Sequence, residues 1–161
     1  MRGWIALLVL AVLACGAPPQ PAGSPAPLAD PLSLKRLDGS KLDFRPPDRK
    51  LTLLVFWSCS WDPHALSEWR TLKRLDQAYR GQGLRILAVA YEEKPAALKK
   101  FLAGHPGQFD LAMGDAAAYE AYAVEALPTL VLVDSKGKIL QRSEGVPDAP
   151  ALEKSIREAL P

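Results

Sequence analysis

The spacing of hydrophobic residues predicts a regular series of strands and helices from Leu32 onward. Apolar residues alternate with polar ones on both sides of Asp38-Gly39, which predicts a β-hairpin around a tight turn. The almost unbroken apolar run from Leu51 to Trp57 is typical of a strand buried on both faces of a sheet. From His64 to Tyr79 apolar residues recur at helical spacing, with charged residues between them.

The second half of the chain continues this alternation of strands and helices. Further helices are predicted to begin near Pro95, at Asp115 as N-cap, and at Asp148. Further strands are predicted over Leu84–Tyr91, Phe109–Met113, Thr129–Val133 and Ile139–Ser143. The order is a β-α-β unit followed by a β-β-α unit, which predicts an α/β domain over residues 32–161 with one central mixed sheet, flanking helices and an N-terminal β-hairpin extension.

Residues 1–14 are predicted to form a signal peptide. Twelve apolar positions follow a short basic start, and such a helix rises about 18 Å against the roughly 30 Å of a bilayer core. The run ends in Val12-Leu13-Ala14-Cys15, which resembles the lipobox of bacterial lipoproteins, so Cys15 is expected to be lipidated. The alternative is a secreted protein cut after Ala17, but Pro18 would then follow the cut directly, and we favour the lipoprotein.

Residues 15–31 are predicted to be a tether that joins this lipid anchor to the domain. Six of the fifteen prolines fall in this segment, and its composition cannot bury enough apolar surface to offset the entropy of ordering it. We therefore expect a domain held outside the cytoplasm in a bacterial cell envelope, on the periplasmic side in a Gram-negative cell. The membrane is one partner, through the lipid.

Composition and charge exclude several classes of protein. Of 161 residues, 48% are hydrophobic and 24% are charged, which is globular composition. Twenty Lys and Arg against eighteen Asp and Glu give a formal charge of +2 without a block of like charge, so no nucleic-acid partner is expected. Two cysteines are too few for a disulfide scaffold or a cysteine-built zinc site.

Three segments resemble the thioredoxin-like proteins of the TlpA/ResA type. Leu53 to Trp57, followed closely by Trp61, resembles that family's VLVNFWATWCxPC segment. Leu84 to Phe101 is similar to its second strand and following helix, and Tyr122 to Gly137 is similar to its YGVxGLPTTFLID-x-x-G run. The resemblance covers about Leu32 to Leu160 and implies a thioredoxin-like fold. Family members are typically anchored, extracytoplasmic disulfide reductases, and many serve cytochrome c maturation.

The family's reaction depends on two cysteines at the start of the first helix, where free N–H groups and the helix dipole stabilise a thiolate. With one extra residue in the loop before Trp61, the resemblance places Asp62 and Ala65 on these cysteines and Glu68 on an acid that often follows them. A carboxylate cannot attack a disulfide and alanine cannot resolve one, so we expect no dithiol reaction. Asp62-Pro63 is still a strong helix start, with Asp62 as N-cap.

Cys59 is the other thiol, in the loop after the first buried strand. If the loop is instead aligned with the family as a shorter one, Cys59 and Asp62 form a Cys-x-x-Asp monothiol site. That alignment needs a two-residue deletion and loses the match at Glu68. A peroxidase function has even less support, because peroxiredoxin-like sites carry Thr three residues before the cysteine, and this chain has Phe56 at that position. The remaining interpretation is a small, partly buried thiol without a reaction partner.

Metal binding has little support in the sequence. Cys59, Asp62, His64 and Glu68 are close along the chain, but their spacing fits no defined coordination geometry. We therefore assign no metal and no other cofactor.

The resemblance implies a groove for a partner beside Pro128. In this fold that proline is usually cis, lies next to the helix start, and follows backbone that pairs with an extended substrate. We call the residues on both sides the candidate groove: Trp61, Asp62, Pro63, His64, Glu68, Leu127, Pro128 and Thr129. The expected function is a tethered module that binds a protein or an extended peptide, with a thiol-disulfide oxidoreductase that uses only Cys59 as the alternative.

Overall fold

The computed structural model describes residues 28–46, 49–91 and 94–160. The predicted signal peptide, Cys15 and the tether up to residue 27 lie outside the described residues. Leu28 to Pro31, the end of the predicted tether, lie against the domain: Leu28 forms an isolated bridge with Lys138, and the Ala29 N–H donates to the Gly137 carbonyl at 2.8 Å. None of the helices in the described ranges has the length and apolar character needed to cross a membrane.

The described residues form seven strands and four α-helices in the predicted order. The strands are β1 (Leu32–Lys35), β2 (Lys41–Phe44), β3 (Leu51–Trp57), β4 (Leu84–Ala90), β5 (Asp110–Met113), β6 (Thr129–Asp134) and β7 (Ile139–Glu144). The helices are α1 (Ala65–Tyr79), α2 (Pro95–Gly104), α3 (Ala116–Ala121) and α4 (Ala149–Ala159), with a 3-10 turn at Arg80–Gln82 after α1.

All seven strands belong to one mixed sheet in the order β2-β1-β5-β4-β3-β6-β7. Strand β3 pairs in parallel with β4 and antiparallel with β6, and each of its seven residues is buried. The N-terminal hairpin joins the sheet through an antiparallel contact between Lys35 and Met113. The α/β class, the mixed sheet and the hairpin extension are confirmed.

Two apolar layers cover the sheet. On one face α1, α2 and α4 pack over a cluster in which the rings of Trp57 and Trp69 lie 5.0 Å apart. On the other face α3 and the hairpin close a second cluster, where Phe56 meets Tyr122 at 5.2 Å. Successive side chains of β3 point to opposite faces of the sheet, and each face is covered by an apolar layer. Neither face of this strand therefore contacts water.

An ion-pair cluster attaches the hairpin to the centre of the sheet. Asp110 at the start of β5 accepts from Arg36 of the hairpin turn at 3.0 Å and from Arg85 of β4 at 2.9 Å. These three residues are distant in sequence, and their pairing follows from the placement of β1 beside β5.

Helix α1 begins later than predicted. Its first residue is Ala65 and its N-cap is His64, so the prediction that Asp62 caps the helix is wrong. Oδ1 of Asp62 instead accepts from the His64 N–H at 2.8 Å, which closes a turn just before the helix. The other predicted caps are confirmed: Asp115 accepts from the Ala118 N–H, and Asp148 accepts from the Ala151 N–H.

Gly114 provides a test of the packing between β4 and α3. A Cβ at this position would meet the Tyr119 ring and would lie 2.9 Å from Cγ1 of Val89. We expect Gly114→Ala to lower the free energy of unfolding by about 1–3 kcal/mol, because Val89 is fully buried and cannot move aside. Urea denaturation measures the effect, with Gly104→Ala as the control, since nothing lies within 4 Å of a Cβ there. Equal stability of the two variants would contradict the packing described.

Candidate functional site

The residues of the candidate groove come together at one edge of the sheet. Phe56 of β3 lies opposite Thr129 of β6 in the ladder, so the loop after β3 and the residues before β6 leave the sheet side by side. The Leu127–Pro128 peptide bond is cis, as the resemblance implied. Pro128 and Thr129 are buried, whereas Leu127 is half-buried.

The loop between β3 and α1 is held by the side chain of Ser58. Its buried hydroxyl accepts from the backbone N–H groups of Ser60 at 3.1 Å and Trp61 at 3.0 Å. Trp61 is 64% exposed, and Pro63 and His64 are also exposed. The loop therefore exposes the indole of Trp61 to solvent, while hydrogen bonds to Ser58 fix its backbone.

Asp62 and Glu68 form a carboxyl pair at the start of α1. Their carboxyl groups lie within hydrogen-bonding reach of each other. Glu68 is only 6% exposed, and neither of its oxygens has a donor among the described residues; the same holds for Oδ2 of Asp62. Burial, together with the smaller effect of the neighbouring Asp62 carboxyl, raises the pKa of Glu68 to about 8. Glu68 is therefore largely protonated at neutral pH.

Cys59 is half-buried and packs against the larger apolar cluster. Its Sγ lies 4.0 Å from the Ser60 hydroxyl. It is the one cysteine among the described residues, so no second thiol from those ranges can form a disulfide with it. Within the same ranges, no group of three or more His, Cys, Asp and Glu side chains could hold a metal ion.

A cavity of about 270 Å³ lies beside Leu127. Its walls are Tyr91, Tyr119, Val124, Glu125, Ala126 and Leu127. Tyr91 is 47% exposed, and its ring meets that of Tyr119 edge to face at 5.1 Å. No candidate-groove residue other than Leu127 lines this cavity, so the groove consists of two adjacent parts, one around Asp62 and Glu68 and one around Leu127.

Sequence reasoning missed the two tyrosines. Tyr91 directly follows β4, and residues beyond the carboxyl ends of parallel strands commonly contact ligands in α/β sheets. That signal was available from the predicted strand Leu84–Tyr91. Tyr119 lies on a short alanine-rich helix, and nothing in the local pattern indicates that it reaches the same edge.

Arg142 of β7 supports the backbone before Pro128. Its guanidinium donates to the carbonyls of Tyr122 at 2.7 Å and Ala123 at 2.8 Å, and pairs with Glu144 at 2.7 Å. Ala123 has φ +44°, a left-handed conformation that is unusual for alanine. The arginine thus holds a constrained turn that leads into the wall of the cavity.

Comparison with known proteins identifies the family. A family model described as AhpC/TSA family matches residues 23–142. The chain belongs to the AhpC/TSA family. The chain is also similar to the thiol-disulfide oxidoreductase ResA of Bacillus thuringiensis. The two sequences are 27% identical over 126 residues, and this alignment covers 78% of this chain and 72% of that protein.

Solved structures of similar fold support the thioredoxin-like architecture. The fold matches a DsbE-type thiol:disulfide interchange protein of Chlorobium tepidum with a TM-score of 0.79 and 26% identity, over 86% of this chain and 99% of that one. A thioredoxin family protein of Chlorobium tepidum TLS matches with a TM-score of 0.76 at 16% identity, over 87% of this chain and 100% of that one. The thioredoxin-like fold and the resemblance to the TlpA/ResA type are confirmed.

Arg142 offers a test of how the turn is held. Lysine keeps the charge but cannot donate to two carbonyls from one planar group, so we expect Arg142→Lys to lower the free energy of unfolding by about 1–3 kcal/mol. Hydrogen exchange at Val124 and Ala126 should accelerate in the variant. Arg157→Lys is the control, because Arg157 is exposed on α4. Unchanged exchange at these amides would show that Arg142 does not hold the turn.

Proposed function

We propose that this protein is a membrane-tethered, extracytoplasmic thioredoxin-like module that binds a protein partner and lacks dithiol-disulfide reductase activity. The observation that carries the proposal is the absence of a thiol at the start of α1. Disulfide exchange needs one thiolate to attack and a second thiol to resolve the mixed disulfide. The chain has two cysteines, Cys15 and Cys59, and only Cys59 lies in the domain.

The residues at the helix start support this interpretation. Asp62 and Ala65 stand at the spacing of a Cys-x-x-Cys pair, but one side chain is a carboxylate and the other is a buried methyl group. The Asp62 carboxylate accepts a backbone N–H, as a thiolate at this position could, yet it has no nucleophilic sulfur. The site can stabilise negative charge without redox chemistry.

The exposed edge supports binding of an extended protein segment. Trp61, in the loop after β3, and Tyr91, directly after β4, are large and exposed aromatic side chains, and a cavity beside Leu127 can receive a side chain. Extended segments combine backbone contacts with pockets for alternate side chains. The partner proposed is therefore a protein or peptide that lies across the edge beside Pro128.

The location in the cell envelope rests on the N-terminal sequence. An apolar segment too short to span a bilayer ends at Cys15 in a lipobox-like motif, and a proline-rich stretch separates it from the domain. A lipid on Cys15 would hold the domain at a membrane surface while leaving the groove free to meet a partner.

The reductase activity can be tested by restoring the cysteines. The purified chain should not reduce insulin disulfides above background, because Cys59 alone cannot complete the cycle. Asp62→Cys with Ala65→Cys should raise the rate at least about tenfold, because the helix start lowers the pKa of a thiol there. The single Asp62→Cys variant is the matched control. Reductase activity in the unmodified chain would overturn the proposal.

A second candidate is a monothiol protein that forms a mixed disulfide through Cys59. The observation in its favour is that Cys59 is half-buried, in the same loop as the exposed Trp61. If this is the function, wild-type protein should capture a partner as a dithiothreitol-sensitive adduct, and Cys59→Ser should lose it. Identical capture by wild type and variant removes this candidate and leaves the noncovalent module.

A further inference from the structure

Three buried carboxyl oxygens lie together at the start of α1 without a hydrogen-bond donor from the described residues. They are Oδ2 of Asp62 and both Oε atoms of Glu68. Glu68 is more than nine-tenths buried, and its carboxyl lies within hydrogen-bonding reach of Asp62. Two carboxylates offer each other only acceptors, so this contact requires a hydrogen atom between them.

The surroundings decide which carboxyl carries that hydrogen. Oδ1 of Asp62 accepts from the His64 N–H at 2.8 Å, and the nearby N-terminus of α1 also favours negative charge. Glu68 has no comparable donor, and burial disfavours its charged form. Glu68 is therefore the neutral hydrogen-bond donor, and Asp62 is its acceptor.

No described cation compensates a second negative charge in this pair. Strand β3, which α1 packs against, carries no charged residue, and Asp62 is the charged group that acts on Glu68. Cys59, in the same loop, packs against the apolar cluster. The other titratable side chains on the surrounding elements fall into three groups. Exposed are His64, Arg70, Lys99, Lys100 and Glu125; paired are Arg85 with Asp110, Arg74 with Glu153, and Arg80 with Asp76; half-buried are Lys73 and His105.

We propose that Asp62 and Glu68 share one proton, and that this proton ties the loop over residues 58–64 to α1 as a pH-sensitive latch. While the proton is present, the Glu68 O–H donates to Asp62 and holds the loop that carries Trp61. When Glu68 gives this proton to solvent, two adjacent buried carboxylates repel each other and the loop is released. The latch acts at the part of the groove formed by Asp62 and Glu68, and it does not depend on which partner binds.

The pKa of about 8 at Glu68 sets the pH window of the latch. This value lies above the ordinary 4.5, so between the two the folded chain binds more protons than the unfolded chain. Stability from this group is therefore fully present below about pH 4.5, declines as the pH rises toward 8, and is lost above it.

Carbon-detected NMR on the labelled full-length chain tests the shared proton directly. The side-chain carboxyl carbon of Glu68 should titrate near pH 8, and that of Asp62 should respond with the same midpoint. In Asp62→Asn the amide can donate to a charged Glu68, so the Glu68 midpoint should fall by about 2 pH units. A wild-type midpoint near 4.5, or an unchanged midpoint in Asp62→Asn, overturns the proposal.

Release of the loop is measured by hydrogen exchange at the Trp61 and His64 amides above pH 8. Glu68→Gln supplies an amide donor at every pH, so these amides should stay protected in that variant and exchange at least about tenfold faster in wild type at the same pH. Glu120→Gln, an exposed glutamate on α3, is the matched control and should behave like wild type. Equal protection in wild type and Glu68→Gln contradicts the latch. A fall in the Glu68 midpoint on adding millimolar CaCl₂ or MgCl₂ would instead assign the oxygens to a cation and overturn it.

Discussion

The burial of β3 on both faces of the sheet determines where the other elements lie. Its residues are at most 2% exposed, and it is paired on one side with β4 and on the other with β6. A strand without a polar face requires cover on both sides, which α1, α2 and α4 provide on one face and α3 with the hairpin on the other. Directly after Trp57 the chain enters the polar loop from Ser58 to Asp62, so the site is built where β3 ends.

The same burial creates the electrostatic conflict at the site. Helix α1 returns over the sheet directly after the loop, and its first turn packs against the end of β3. Glu68 lies on that turn and is removed from water, whereas Asp62 in the loop keeps a backbone N–H partner. The position of Glu68 against this strand is thus the main reason why its pKa is raised, and the neighbouring Asp62 carboxyl adds to the effect.

The sequence predicts those features that depend on local pattern. The apolar run of β3, the helical spacing after His64 and the Asp115 cap each follow from neighbouring residues, and the structure has them. The start of α1 was misjudged because Asp62 satisfies both a helix cap and a turn, and the turn to His64 is the one formed. The Arg36–Asp110–Arg85 cluster and the cavity of Tyr91 and Tyr119 join residues distant in sequence, so periodicity could not reveal them.

A thioredoxin-like domain can keep its binding edge without a cysteine pair because the two depend on different interactions. The edge is formed by the β3–β6 ladder and by Arg142, which holds the turn before Pro128 through backbone carbonyls. The start of α1 needs only an acceptor for one N–H group and a small buried side chain, and Asp62 and Ala65 meet both needs. Thiol exchange depends on two sulfur atoms alone. The β3–β6 ladder involves neither Asp62 nor Ala65, so the edge beside Pro128 and thiol chemistry depend on physically separate features of the fold.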